Sequence, residues 1–274
     1  MFLRHMRILI LTLATATLFF ACSPYQKLLK SDDAGLKFHH ADSLYSIQEY
    51  KKALKLMEQI VPAYRGKPQA EKLMFLYSDT FYNLGDYYLA GYQFERFATS
   101  YPQSEKAQVA AFKGAKSYYF LSPRYSLDQK ETITALEKLQ NYINKYPDSD
   151  YHDEANVLVE ELTVKIQKKE FEIAKQYHRL GGHNAFNYRA AISAFDNFIL
   201  NHPGSDFREE SLFLKFDSAY QLAIRSVPDK VEERLLTAIN YYNAFIKNYP
   251  EGAFSQQANE ILLDIEQRLQ NKQV

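Results

Sequence analysis

Two sets of residues have chemistry to offer. One is Cys22, the single cysteine of the 274-residue chain. With no second thiol it cannot close an internal disulfide, so its uses are as a nucleophile or an attachment point. The other is a recurring triplet: Phe38-Asp42-Tyr45, Phe75-Asp79-Tyr82, Phe112-Lys116-Tyr119, Phe171-Lys175-His178 and Phe213-Asp217-Tyr220. Offsets of 0, 4 and 7 put each triplet on one face of a helix. An aromatic ring, a charge and a hydroxyl in one stripe is the chemistry of peptide recognition. Enzyme chemistry is hard to find. No phosphate-binding glycine loop, H-E-x-x-H pair or calcium loop occurs, and no G-x-S-x-G elbow. His39 and His40 are adjacent and point apart on a helix, and His178 and His183 straddle a predicted helix end with no cysteine nearby. The chain is expected to be neither an enzyme nor the holder of a metal or other cofactor. Lys plus Arg equals Asp plus Glu at 33 each, so the basic excess that nucleic-acid binding needs is missing.

The place of Cys22 in the chain decides what its thiol does. Arg4 and Arg7 precede an apolar run from Ile8 to Ala21 that ends on the cysteine, the layout of a secretory signal. Fourteen residues span about 21 Å as a helix, short of a hydrocarbon core of about 30 Å. Phe19-Phe20-Ala21-Cys22 resembles a bacterial lipobox, in which the cysteine is acylated and becomes the first residue. The alternative is an ordinary signal peptide that leaves Cys22 as a free thiol. Ser23 rather than Asp follows, which in bacterial lipoproteins resembles sorting to the outer membrane. Removal of residues 1–21 takes away two arginines and no acid, leaving a net charge of −2. Attachment must therefore rest on acyl chains such as palmitate, of which more than one is needed for stable anchoring. Residues 22–33 read as a tether.

The triplets need helices to carry them, and the sequence supplies these in pairs. A second pattern recurs as Ala53-Met57-Ile60-Tyr64, Ala90-Phe94-Phe97-Tyr101, Ala135-Leu139-Tyr142-Tyr146, Ala191-Phe195-Phe198-His202 and Ala238-Tyr242-Phe245-Tyr249. In the last four copies a proline follows and stops the helix. Ser104, Ser149 and Ser205 then stand as expected N-caps of the next helix. The spacing predicts insertions of 8, 5 and 10 residues in repeats three to five, at Ser122-Pro123-Arg124, Gly181-Gly182-His183 and Val227-Pro228-Asp229. No Gly or Pro interrupts residues 149–180, which predicts one long helix. Helix pairs near 34 residues with this arrangement of Ala, aromatic and Pro follow the tetratricopeptide pattern. The expected fold is all-α, a solenoid of five such hairpins in two halves, 34–147 and 148–274, with a closing helix after Pro250. Its first helices would line a concave groove with the triplets. The competing expectation packs the Phe and Tyr between helices and leaves only the charges in solvent.

A lipobox cysteine, a short tether and five tetratricopeptide repeats together resemble the BamD family, the lipoproteins of the outer-membrane β-barrel assembly machinery. The segments that carry the resemblance are Ala21-Cys22-Ser23, the Tyr-Pro-x-Ser turns at 101–104 and 146–149, and Tyr188-Arg189-Ala190-Ala191. The resemblance implies a scaffold on the periplasmic face of the outer membrane. The groove of Phe38, Asp42, Tyr45, Phe75, Asp79, Tyr82, Phe112, Lys116 and Tyr119 would hold unfolded β-barrel clients. Lys175, His178, Asp217 and Tyr220 would dock the periplasmic domains of a BamA-like barrel. A different tetratricopeptide lipoprotein, coordinating envelope or peptidoglycan synthesis or binding glycans, remains the alternative at this point.

Overall fold

A computed structural model describes residues 24–272; Cys22 and the signal segment lie outside these. The described residues form twelve α-helices and no strand. They are α1 (Pro24–Leu29), α2 (Ala34–Ser46), α3 (Tyr50–Ile60), α4 (Ala70–Asn83), α5 (Tyr87–Ser100), α6 (Ala107–Leu121), α7 (Lys130–Lys145), α8 (His152–Gly181), α9 (Phe186–Asn201), α10 (Arg208–Ile224), α11 (Pro228–Asn248) and α12 (Ser255–Lys272), with a 3-10 turn (Val61–Tyr64) after α3. The fold is all-α, built of consecutive tetratricopeptide-like hairpins.

The repeated alanine explains the pairing. Ala53, Ala90, Ala135, Ala191 and Ala238 are all completely buried. The small residues three after each leading Phe (Ala41, Ser78, Ala115 and Ala174) are buried as well. Small side chains let the helices approach closely, and the large residues one and two turns on (Met57, Phe94, Leu139, Phe195) fill the space beside them. Each Tyr or His before a proline leaves the helix: Tyr101, His202 and Tyr249 have φ of −127°, −129° and −137° and ψ of 61° to 69°. That is the departure from α conformation that a following proline imposes.

The serines after those prolines are not the N-caps their position suggested. α6, α8 and α10 begin three residues later. Ser104, Ser149 and Ser205 instead accept hydrogen bonds from the N–H groups of Lys106, Tyr151 and Phe207, at 3.1, 3.1 and 3.2 Å. Their hydroxyls close the turn that leads into the helix. The insertions take different forms. In repeat three the extra residues are the loop between α6 and α7, held by Gln129, whose amide donates to the carbonyls of Arg124 and Leu127. In repeat five they are absorbed as helix, α10 and α11 running to 17 and 21 residues with a three-residue link.

The chain divides into two compact units. The first comprises the described residues to Leu121 with Thr134–Leu158, and the second Ser122–Ile133 with the residues from Val159 onward. In the first unit one core gathers Leu56, Met57, Ile60 and Leu73, and another gathers Phe75, Phe81, Phe94 and Phe97. The second unit has a larger core around Phe171, Phe195, Phe198, Phe213, Phe216 and Phe245. The many Phe residues are thus chiefly interior.

Candidate functional site

The triplets sit on the first helix of each hairpin, as their spacing predicts, but most of them are turned to the neighbouring repeat. In the first unit Lys72 reaches Asp42 at 2.6 Å. Lys113 pairs with Asp79, and Lys116 with Glu154. The Tyr45 hydroxyl donates to the second oxygen of Asp79, and the Asn83 amide donates to that same oxygen at 2.9 Å. Asp42 meets Lys72 and Tyr45 meets Asp79, so contacts advance together along both helices, and α2 and α4 are parallel. Asp79–Lys113 and the approach of the Tyr82 and Phe120 rings at 6.1 Å place α6 parallel to α4.

Three residues expected to line a groove have their place in the interior. Phe75 lies 5.5 Å from Phe97 and 5.9 Å from Phe94 by ring centroids. Phe112 stacks on Tyr151 at 4.7 Å. Asp79 is only 4% exposed, because its two oxygens are consumed by Lys113, Tyr45 and Asn83. The cover differs: Phe75 is closed by α5 of its own hairpin, whereas Phe112 takes Tyr151 from the turn before α8 and Asp79 takes Tyr45 and Lys113 from the repeats on either side. A lysine then covers the ring from outside, Lys106 over Phe75 at 4.7 Å and Lys116 over Phe112 at 5.7 Å. Phe38 is less enclosed, stacked on Tyr64 at 5.3 Å with Lys72 above it.

The tyrosines differ in what they have left to give. Burial, followed by the bond to Asp79, holds the Tyr45 phenol far above its usual range, so it stays a neutral donor committed to that carboxylate. Burial also pushes Tyr82 up to about 12, with Tyr87 and then Glu154 adding to the effect. Tyr82 is half-buried under the Phe120 and Tyr87 rings with the Lys113 ammonium over its face at 5.2 Å. Tyr119 touches Phe120 at 5.5 Å. Phe38, Asp42, Tyr82, Lys116 and Tyr119 are the part-exposed remainder of the stripe.

The second unit repeats the arrangement. Lys175 pairs with Glu210 at 2.5 Å, and the Tyr220 hydroxyl donates to Asp264 at 2.7 Å. His178 lies with Nε2 3.4 Å from Asp217 and Nδ1 2.9 Å from the Ser218 hydroxyl. That trio has the composition of a hydrolytic triad but not its geometry. Ser218 is fully buried and its hydroxyl donates to the Leu214 carbonyl at 2.6 Å, so the imidazole does not hold its proton. Burial pushes His178 below the ordinary histidine range and Asp217 above the ordinary carboxylate range. A histidine depressed on folding takes up its proton more readily in the unfolded chain. Its contribution is therefore intact above about pH 6.5 and is lost as pH falls below that value. His178→Gln should lose less stability than the parent between pH 7 and pH 5 in urea unfolding; identical losses would show that His178 is not responsible.

The partners Lys72, Lys113, Glu154, Glu210 and Asp264 escaped the sequence reading. Their signal is a charge or donor matched to an opposite one 30 to 44 residues on, about one repeat away. Among the described residues no buried side-chain donor or acceptor lacks a partner, and no group of three or more His, Cys, Asp or Glu side chains is placed to hold a metal. Open space remains in a cleft of about 210 Å³ lined by Tyr64, Arg65, Leu73, Met74, Arg96 and Tyr101. A more apolar groove of about 390 Å³ lies between Pro24, Tyr25, Leu28, Leu36 and Leu44.

Hairpins joined through buried alanines and laced by inter-repeat ion pairs define a helical-repeat protein of the tetratricopeptide kind. No helix among the described residues is long and apolar enough to cross a membrane. The profile of YfiO, an outer membrane lipoprotein family that includes BamD, matches residues 32–190 and 183–274. The chain belongs to that family. No curated protein matches it.

Proposed function

We propose that the protein is a lipid-anchored scaffold on the periplasmic face of the outer membrane, where it holds unfolded β-barrel clients and docks a BamA-like barrel through that partner's periplasmic domains. The observation that carries this reading is membership of the outer membrane lipoprotein family over nearly the whole chain after Cys22. The lipobox-like Phe19-Phe20-Ala21-Cys22 supports it by supplying the site of acylation. The part-exposed residues of the first unit, Phe38, Tyr82, Lys116 and Tyr119, offer apolar and cationic contacts that an extended client strand can use. Tyr45 is excluded from that role because its hydroxyl is already spent on Asp79.

The test is recovery of the acylated chain from membranes with its partners. A barrel protein with periplasmic domains should dominate; an envelope-synthesis enzyme in its place would overturn the reading. Cys22→Ser should move the chain from the membrane to the soluble fraction, since no helix among the described residues is long and apolar enough to cross a bilayer. Tyr82→Ala with Tyr119→Ala should weaken cross-linking to unfolded barrel clients at unchanged helicity. Unaltered cross-linking would remove the client surface from these residues.

A further inference from the structure

The two ends of the helices in the first unit are unlike. Because α2, α4 and α6 are parallel, the α2–α3 turn, the α4–α5 turn and the end of α6 lie on one edge. That edge exposes Ile47 (68%), Tyr88 (69%), Leu89 and Phe120 (42%). The opposite edge carries the α3–α4 and α5–α6 connections, 61–69 and 101–106. Leu36, in the first turn of α2, is exposed near this edge, but none of the exposed large apolar side chains lies in the connections themselves, where Arg65, Lys67, Gln69, Gln103, Glu105 and Lys106 face solvent.

The chain enters on the apolar edge. The Tyr25 hydroxyl donates to the carbonyl of Lys52 at 2.9 Å, near the start of α3, while the other end of α1 is tied by Lys37 to the Leu29 carbonyl. Pro24 thus lies toward the turn that bears Ile47. Cys22 stands two residues earlier in the sequence, outside the described residues. Charge points the same way. Lys51, Lys52 and Lys55 are exposed in the first two turns of α3, which has no acidic residue in its first turn. Cations at a helix N-terminus oppose the helix dipole and are unfavourable there unless an anion compensates. Glu49 answers Lys52 at 3.2 Å and Asp86 is engaged by the N–H of Leu89, so the charges that remain for an outside anion are those of Lys51 and Lys55.

We infer that this edge of the first unit lies on the bilayer, with Ile47, Tyr88, Leu89 and Phe120 in the headgroup layer and the lysines of α3 against anionic lipid phosphates. Tyrosine and aliphatic side chains among lysines are suited to that boundary, one part apolar and one part wet. The inference rests on the lipoprotein reading and deepens it: the acyl chains would tether the protein, and the edge would set which way it stands. The bilayer then holds the first unit by its intra-repeat turns and leaves the opposite turns pointing into the periplasm.

The chain contains no tryptophan, so a single one reports its own depth. Acylated mature protein carrying Ile47→Trp, Leu89→Trp or Gln103→Trp would be placed in vesicles of phosphatidylethanolamine and phosphatidylglycerol with brominated acyl chains. Quenching should be about threefold stronger at Ile47 and Leu89 than at Gln103, since interfacial side chains enter only some 5–10 Å and α5 spans about 20 Å. Equal quenching at all three positions, or stronger quenching at Gln103, would overturn the inference. The mass of the same chain separates the two claims. A chain lacking acyl groups would count against the lipoprotein reading, and an acylated chain quenched at the wrong edge would count against the orientation alone.

Discussion

Asp79→Ala should destabilise the first unit by about 3 kcal/mol, the cost of leaving the other members of a buried charged network without their partner. The carboxylate joins three helices: Tyr45 of α2 donates to it, Lys113 of α6 pairs with it, and Asn83 of its own helix donates as well. Without it the Tyr45 hydroxyl loses its acceptor and the Lys113 ammonium, held over the Tyr82 ring, loses its anion. Lys113 keeps partial access to water, which places the cost at the low end for a buried pair. Asp79→Asn keeps an oxygen for Tyr45 and should cost less. Tyr45→Phe should cost about 1 kcal/mol, the net worth of an ordinary hydrogen bond. The double variant Tyr45→Phe with Asp79→Ala should be milder than the sum, because both remove the same bond. Urea unfolding of the four chains measures this; strict additivity would mean that the two side chains do not act together.

Phe171→Ala should cost the second unit about 4 kcal/mol. Phe171 is buried in α8 and meets Phe207 face to face at 5.0 Å, with Phe198 at 6.0 Å and Phe195 at 6.3 Å. Truncation removes the ring and leaves a cavity walled by side chains from α9 and from the turn before α10, none of which can move in without giving up its own packing. At roughly 2–4 °C per kcal/mol for a chain of this size the melting temperature should fall by about 8–16 °C. Phe171→Leu should recover most of the loss. A shift under about 3 °C for the alanine variant would mean that the site collapses around the cavity and that this ring does not bind repeat four to repeat five.

Both predictions concern residues whose spacing was plain and whose surroundings were not. Phe75, Phe112 and Phe171 share a 0, 4, 7 period with exposed positions, and period specifies a face without saying what covers it. Their burial follows from rings on other elements: Phe97 from the second helix of the same hairpin for Phe75, and Tyr151 and Phe207 from the turns that lead into the next hairpin for Phe112 and Phe171. Asp79 reads as a surface acid because acids are rarely buried; it is interior only because Lys113 and Tyr45 arrive from two neighbours. Reading Ser104, Ser149 and Ser205 as caps starts each following helix about one turn too early; they close the turn before it, since cap and turn signals share the same residue types.

What the sequence determined by itself is everything carried by local period and chain order: the helix stripes, the alanine contacts, the proline stops and the long helix through repeat four. These depend on residues within a turn or two of one another, or on the identity of a single residue. What only the tertiary structure decided is which stripe faces a neighbour and which faces water, that Tyr45 is spent on Asp79 while Tyr82 is not, and that one edge of the first unit is apolar and the other polar. Those outcomes depend on pairs a full repeat apart. Their energy comes from desolvation and charge pairing between helices, and the pattern of one helix holds no record of its partner.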